Sequence, residues 1–286
     1  MFSLDGYKAA LARGGVVRRT DRGVLAVSGG DRASWLQGLV TNDVAALHAG
    51  EHCYAAYLTP QGRMITDMHV FAERERMLLD VPAPLAASLR DRLDGLIFAE
   101  DVAVTDESAR VHVWTVIDKP EGLSPPESGG LSPHVGDSLP PELAPLAEID
   151  LDTFEVIRIE RGVPRFLADM DETTIPLEAG IEDRAISFTK GCYVGQEIIV
   201  RVTHRGGGRV AKRLVPWHAG DNAAVVPTRD AKLFAGDREV GRVTSAAFSP
   251  GLNRIVGLGY LHRDFAERGT NVTVVWNDAR IEAVVQ

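Results

Sequence analysis

The stretch KGCYVGQEIIVRVTHRGGG, residues 190–208, decides how this chain is read. It sets Cys192 between Lys190, Gly191 and Gly195, just ahead of a β-branched run. Buried structural cysteines usually sit among apolar neighbours, not between a lysine and glycines. After Gly195, QEIIVRVTH has the Ile, Val and Thr content of a strand. It reads equally well as a helix whose first turn is at Gly195. In the helical case the unpaired amides and the helix dipole stabilise a thiolate at Cys192, and Lys190 adds positive charge. A thiolate ligates metals and attacks electrophiles. The competing reading is a packed thiol in a tight glycine turn.

Working outward, 286 residues suit one large domain or two to three smaller ones, and a hydrophobic content of 45% supports a real core. The opening MFSLDGYKAALARGG lacks the apolar stretch of a signal peptide. No run approaches the roughly 18 apolar residues that span a bilayer. A cytoplasmic protein without membrane partners is therefore expected. Cys53 and Cys192 are the only cysteines, which excludes a disulfide framework and a four-thiolate metal site within one chain. Cys53 lies in an alternating strand and is expected in the core. No HExxH, Walker, Rossmann or G-x-S-x-G pattern occurs, and no metal site is expected; His204 near Cys192 is read as a chance pair. A net charge of −9 argues against nucleic-acid binding. Within that total, six bases and one acid fall between Lys190 and Arg213, while six acids and no base fall between Asp169 and Asp183. These are either two solvated faces or a basic strip near an anion site.

Along the chain, GVLAVSG (23–29) predicts a strand, and DRASWLQGLVTNDV (31–44) predicts an amphipathic helix capped by Asp31. CYAAYLTPQGRMITDMHVFA (53–72) predicts two strands joined at Pro60–Gly62. Alternation in the second puts Ile65, Asp67, His69 and Phe71 on one face, where an acid needs a partner. A helix follows at 82–98, and then two strands; this mixture is α+β. Residues 118–145 hold seven of the 15 prolines and read as a linker. LDTFEVIRIERGVP predicts a helix stopped by Gly162 and Pro164. From Arg213 onward, short strands with turns predict a small barrel or sandwich, ending in a hairpin at Asn277–Asp278.

The block KGCYVGQE resembles the K-G-C-Y-x-G-Q-E signature of the YgfZ proteins. These are folate-binding relatives of the glycine-cleavage T-protein (aminomethyltransferase), implicated in iron–sulfur cluster assembly or repair. VSGGDRASWLQGLVTNDVAALHAGEHCYAAYLTPQGRMITDMHVF resembles the folate-domain pattern of the same group, RIERGVPRF…DETTIPLEAGI…AISFTKGCYVGQE its central pattern, and GRVTSAAFSPGLNRIVGLGYL its carboxy-terminal domain. The resemblance covers nearly the whole chain. It implies an α+β, three-domain T-protein-like fold around a central folate-binding cavity, with a small C-terminal β-barrel. The implied domains are 1–50 plus 146–205 for the first part of the folate-binding domain, 51–145 for an inserted subdomain, and 206–286 for the barrel. It also implies that Gln196 begins a helix.

Residue by residue, Asp67 matches the T-protein aspartate near the reactive folate nitrogen, with Thr66 where T-proteins carry a first aspartate. Tyr54 matches a pocket tyrosine, and Arg158 matches an arginine of the central pattern. The resemblance implies that Cys192 is the reactive or ligating group, shaped by Lys190, Tyr193, Gln196 and Glu197. Two departures from T-proteins place the chain on the YgfZ side. The TGExGxE stretch has no counterpart, and Phe154 stands where T-proteins carry an arginine. T-proteins also generally lack the signature cysteine. The implied function is tetrahydrofolate binding in support of iron–sulfur assembly, with iron–sulfur client or assembly proteins as partners and tRNA-modifying enzymes among the clients. The alternatives are an aminomethyltransferase-type one-carbon transferase and a scaffold with vestigial folate binding.

Overall fold

A computed structural model describes residues 1–118, 129–205, 207–220 and 225–286. Two sheets form the body. One contains β1 (Gly15–Arg18), β7 (His112–Ile117), β8 (Leu131–Gly136) and β9 (Ala147–Ile149) in the order β8-β7-β1-β9. The other contains β2 (Arg22–Ser28), β3 (His52–Leu58), β4 (Met64–Ala72), β5 (Arg76–Pro82) and β6 (Ala103–Asp106) in the order β3-β4-β5-β2-β6. Both sheets draw strands from either side of residue 50, where the sequence reading placed a domain boundary. Part of the proline-rich stretch, residues 119–128, lies outside the described residues; the remainder includes β8.

The C-terminal region closes on itself. β10 (Lys212–Ala219), β11 (Lys232–Ala235), β12 (Arg238–Ser249), β13 (Arg254–His262), β14 (Asn271–Trp276) and β15 (Ala279–Val285) form a barrel in the order β10-β13-β12-β11-β14-β15, and β15 pairs back onto β10. Closure settles the choice between barrel and sandwich and leaves no open sheet edge. Trp217, Leu233, Val243, Val274 and Val285 fill its interior.

Helices cover the sheets. α1 (Leu4–Arg13) is capped by the Ser3 hydroxyl, which accepts from the Gly6 amide. α4 (Leu151–Glu160) is capped by Asp150, which accepts from Thr153. Together they bury Tyr7, Ala10, Phe154 and Ile157 against the first sheet. α3 (Ala86–Asp94) packs Leu89 and Leu93 onto the second. α2 (Arg32–Gln37) is much shorter than its pattern suggests. Beyond Gly38 the chain is held by tertiary partners: the buried Thr41 hydroxyl donates to the Ala185 carbonyl at 2.6 Å and accepts from the Ala56 amide at 2.8 Å. Asp31 accepts from the Asp101 amide at 2.8 Å and makes no side-chain cap bond to α2.

The β3–β4 hairpin turns at Thr59–Gly62 as expected, with one correction. Pairing jumps from Tyr57–Thr66 to Leu58–Met64, so Ile65 is bulged out of register. The extra residue shifts the period of two. Ile65 therefore packs with Met68 and Val70 on the core face, while Asp67 and His69 face the other way beside Tyr54. No helix among the described residues is long and apolar enough to cross a membrane.

Candidate functional site

A cavity of about 400 Å³ opens between the two sheets and α4. One wall is the outer face of β3 and β4, contributing Tyr54, Asp67 and His69. Arg22 and Asp80 enter from β2 and β5, Thr115 and Leu131–Pro133 from β7 and β8, and Phe154 and Arg158 from α4. The hairpin register sets Tyr54 directly opposite His69, and Ala56 opposite Asp67.

Asp67 is 5% exposed and fixed at both oxygens. The Tyr54 hydroxyl donates to Oδ2 at 2.8 Å, and the Arg22 guanidinium donates to Oδ1 at 3.1 Å. Arg22 also donates to the Asp80 carboxylate at 2.5 Å and to the Asp80 carbonyl at 2.8 Å. Burial pushes the Asp80 carboxyl up from its usual range, against the opposing pull of Arg22. Burial and the neighbouring Asp67 charge hold the Tyr54 phenol well above its usual value, so it remains a donor. Each Asp67 oxygen retains a lone pair for a further donor. The cavity thus presents an oriented acceptor backed by a buried cation.

The remaining cations differ in availability. All five N–H groups of Arg158 are committed: to Glu155, to Asp169 at 2.7 Å, to the Val163 carbonyl at 3.0 Å and to Ser245 at 2.9 Å. Arg158 lends the cavity its charge and stem, with no donor left over. Arg19 is paired with Asp21 and lies over the Phe154 ring at 4.5 Å. Arg184 stands over the Tyr54 ring at 4.7 Å and makes no ion pair among the described residues. Cys53 packs against the core cluster around Met68 and Val70, as expected, although it is only partly buried and part of it reaches the cavity lining; burial pushes its thiol up to about 12.

The signature lies outside this lining. α5 (Pro176–Ala179) and α6 (Glu182–Ala185) lead into it, and α7 (Gln196–Val200) begins at Gln196, as the resemblance implied. Gly195 caps α7 at φ +84°, and its backbone presses on the Thr59–Gly62 turn; a Cβ there would lie 2.5 Å from the Thr59 carbonyl oxygen. Lys190 is buried. Its ammonium donates to the carbonyls of Gln37, Val40 and Asn42 at 2.6, 2.7 and 2.9 Å, and it lies 5.2 Å from the Tyr193 ring centre. Burial draws this amine down to about 8. Tyr193 is buried in the cluster around Leu58 and Ile199, which pushes its phenol up to about 12. Lys190 and Tyr193 therefore lock the signature onto the loop after α2. Cys192 is exposed and free. α7 has only five residues and starts four residues beyond Cys192, so a helix dipole gives the thiol little support. Gln196 is half-buried at the start of α7 and Glu197 is exposed.

The residues expected as one site thus fall into two groups. Tyr54, Asp67 and Arg158 line the cavity; Lys190, Cys192, Tyr193 and Gln196 belong to the signature outside it. Sequence reasoning missed Arg22, Asp80 and Arg184 in the cavity. No local signal marks them, because β2–β5 pairing and the Tyr54 contact bring them in. His69 was legible from strand alternation, which puts it on the Asp67 face; its place opposite Tyr54 depends on the bulge at Ile65.

Comparison with known proteins fits this geometry. Residues 212–286, the closed barrel, match the family model of the glycine cleavage T-protein C-terminal barrel domain. The whole chain superposes on the glycine cleavage system aminomethyltransferase T of Bartonella henselae with a TM-score of 0.81, covering 99% of this chain and 88% of that one at 18% identity. The tRNA-modifying protein YgfZ of Yersinia pseudotuberculosis is 28% identical over 79% of this chain and 78% of its own length. In its barrel domain, its fold and its relatives, the chain is similar to the YgfZ and T-protein group. A mitochondrial relative from Mycosarcoma maydis, named an iron–sulfur cluster assembly factor IBA57 homolog, is 33% identical over 68% of this chain and 55% of its own length. The chain spans between 53% and 59% of the first three fungal relatives of this name.

Proposed function

We propose that this YgfZ-like protein binds a reduced folate in the cavity and supports iron–sulfur cluster assembly or repair, with Cys192 as its reactive side chain. The observation that carries the reading is Asp67, fixed by Tyr54 and Arg22 at the wall of a cavity on a T-protein fold. A volume of about 400 Å³ suits a small-molecule site. An acceptor held rigid in its wall suits the amine side of a reduced pterin ring, and Arg184, with no ion pair among the described residues, suits the carboxylates of the ligand's tail. The iron–sulfur role is supported by the names of the relatives. Exposure of Cys192 on a loop pinned by Lys190 suits a thiol that meets a client or assembly protein.

Calorimetric titration with tetrahydrofolate tests the cavity. Binding to the wild type and a loss of about tenfold in Asp67→Asn are expected; no binding to the wild type sinks the folate reading. Complementation tests the thiol: Cys192→Ala, expressed in a strain lacking its own YgfZ, should fail to restore iron–sulfur enzyme activity. Full rescue removes the cysteine from the mechanism. Methylene-tetrahydrofolate formed from an aminomethyl donor at useful rates replaces this reading with a one-carbon transferase.

A further inference from the structure

Two residues lining the cavity, His69 and Arg165, carry a buried nitrogen with no hydrogen-bond partner among the described residues; the Arg165 Nε lies 3.4 Å from the Glu155 carboxylate, which leaves His69. His69 lines the site from β4, two residues beyond Asp67 on the same face. Its Nδ1 is buried and lacks a hydrogen-bond partner among the described residues. Buried polar atoms are nearly always paired, by protein, water or ligand, so an orphan at the wall of a cavity calls for a reason. Its surroundings are aromatic. The Tyr54 ring centre lies 4.9 Å away at 43°, and those of His52 and Phe71 lie at 6.2 and 6.3 Å. His52 and Phe71 stack on each other at 5.1 Å.

Burial, and then the nearby Arg22 charge, hold the His69 imidazole well below its usual pKa. The ring is therefore neutral, with one nitrogen a donor and the other an acceptor. Asp67 and Tyr54 satisfy each other, whereas His69 has spare hydrogen-bonding capacity on the same wall. A row of aromatic rings with one neutral donor–acceptor suits a flat heteroaromatic ring that carries amide-like groups on its edge.

We propose that His69 is a specificity-determining residue of the cavity, hydrogen-bonding the polar edge of the ligand's heteroaromatic ring. The assignment deepens the folate reading and rests on it: the pterin edge supplies the N–H and carbonyl groups that His69 meets. It separates recognition into two parts, with Asp67 answering the amine side and His69 the amide side.

The test titrates folinic acid, an air-stable reduced folate, into the wild type, His69→Leu and His69→Asn. A parallel competition uses p-aminobenzoylglutamate, which lacks the pterin ring. Thermal melting of each variant checks that it is folded. His69→Leu keeps much of the volume but cannot hydrogen-bond, and should weaken folinic acid by about tenfold. His69→Asn restores a donor and an acceptor and should recover most of that loss. Neither change should move p-aminobenzoylglutamate. Equal affinity of His69→Leu and wild type for folinic acid overturns the assignment while leaving the folate reading intact. So does a matching loss for the ring-less compound, which marks a purely structural role. Failure of the wild type to bind folinic acid overturns the folate reading, and the His69 assignment falls with it.

Discussion

The two glycines of the signature should respond to alanine in opposite ways. Gly195 sits at φ +84°, a left-handed conformation that costs a residue with a Cβ roughly 1–2 kcal/mol. An added Cβ would also lie 2.5 Å from the Thr59 carbonyl oxygen and 3.1 Å from the Leu58 Cβ. Neither neighbour is the end of a flexible side chain. The hairpin turn or the start of α7 must move, an overpacking cost of roughly 1–3 kcal/mol. Gly195→Ala should therefore lose about 2–5 kcal/mol, a large share of the 5–15 kcal/mol typical of a folded domain. Gly191 has open space where its Cβ would go, and Gly191→Ala should stay within about 0.5 kcal/mol of the wild type. Urea unfolding of both variants, compared at constant m-value, provides the measurement. A loss below about 1 kcal/mol in Gly195→Ala, or equal losses in the pair, refutes the claim that close backbone contact fixes this motif.

Three further outcomes are expected. Arg22→Met strands the buried Asp67 and Asp80 carboxylates and should cost roughly 3–5 kcal/mol in urea unfolding; a near-neutral result means that the cluster is not a buried ion network. Iodoacetamide at pH 8 should label exposed Cys192 and spare Cys53, whose thiol is pushed up to about 12 and so forms thiolate only in strongly alkaline solution. Comparable labelling of the two, resolved by peptide mass spectrometry, contradicts the burial of Cys53. Arg184→Gln should weaken folate binding several-fold more at low salt than at high salt, because the lost contact is between charges; a salt-independent loss argues against an anion contact there.

Much of the cavity wall was legible because it is built from one hairpin. Strand alternation places Asp67 and His69 on a shared face without knowledge of the rest; that Tyr54 faces them follows from the observed register. Ile65 escaped because a single bulged residue reverses the phase, and composition does not announce it. The truncated α2 escaped for a different reason. Residues 38–44 keep a helical pattern, yet Thr41 and the carbonyls that meet Lys190 are claimed by distant partners. In the signature, resemblance singled out Lys190 and Tyr193, which hold it against the loop after α2. Their chemistry was not visible, since it depends on a loop about 150 residues earlier in the chain. Arg158 illustrates the same limit: its place on α4 was clear, its full set of partners was not.

That guanidinium also decides how the molecule can be dissected. One of its nitrogens reaches Ser245 on β12, and its partner Asp169 accepts from the hydroxyls of both Thr244 and Ser245, at 2.6 and 2.7 Å. Cutting the chain ahead of β10 would strip hydroxyls from both members of a desolvated ion pair at the back of the cavity. The fragment so produced would inherit the cavity's outline without its foundation, and ligand assays on it would report the damage of the cut.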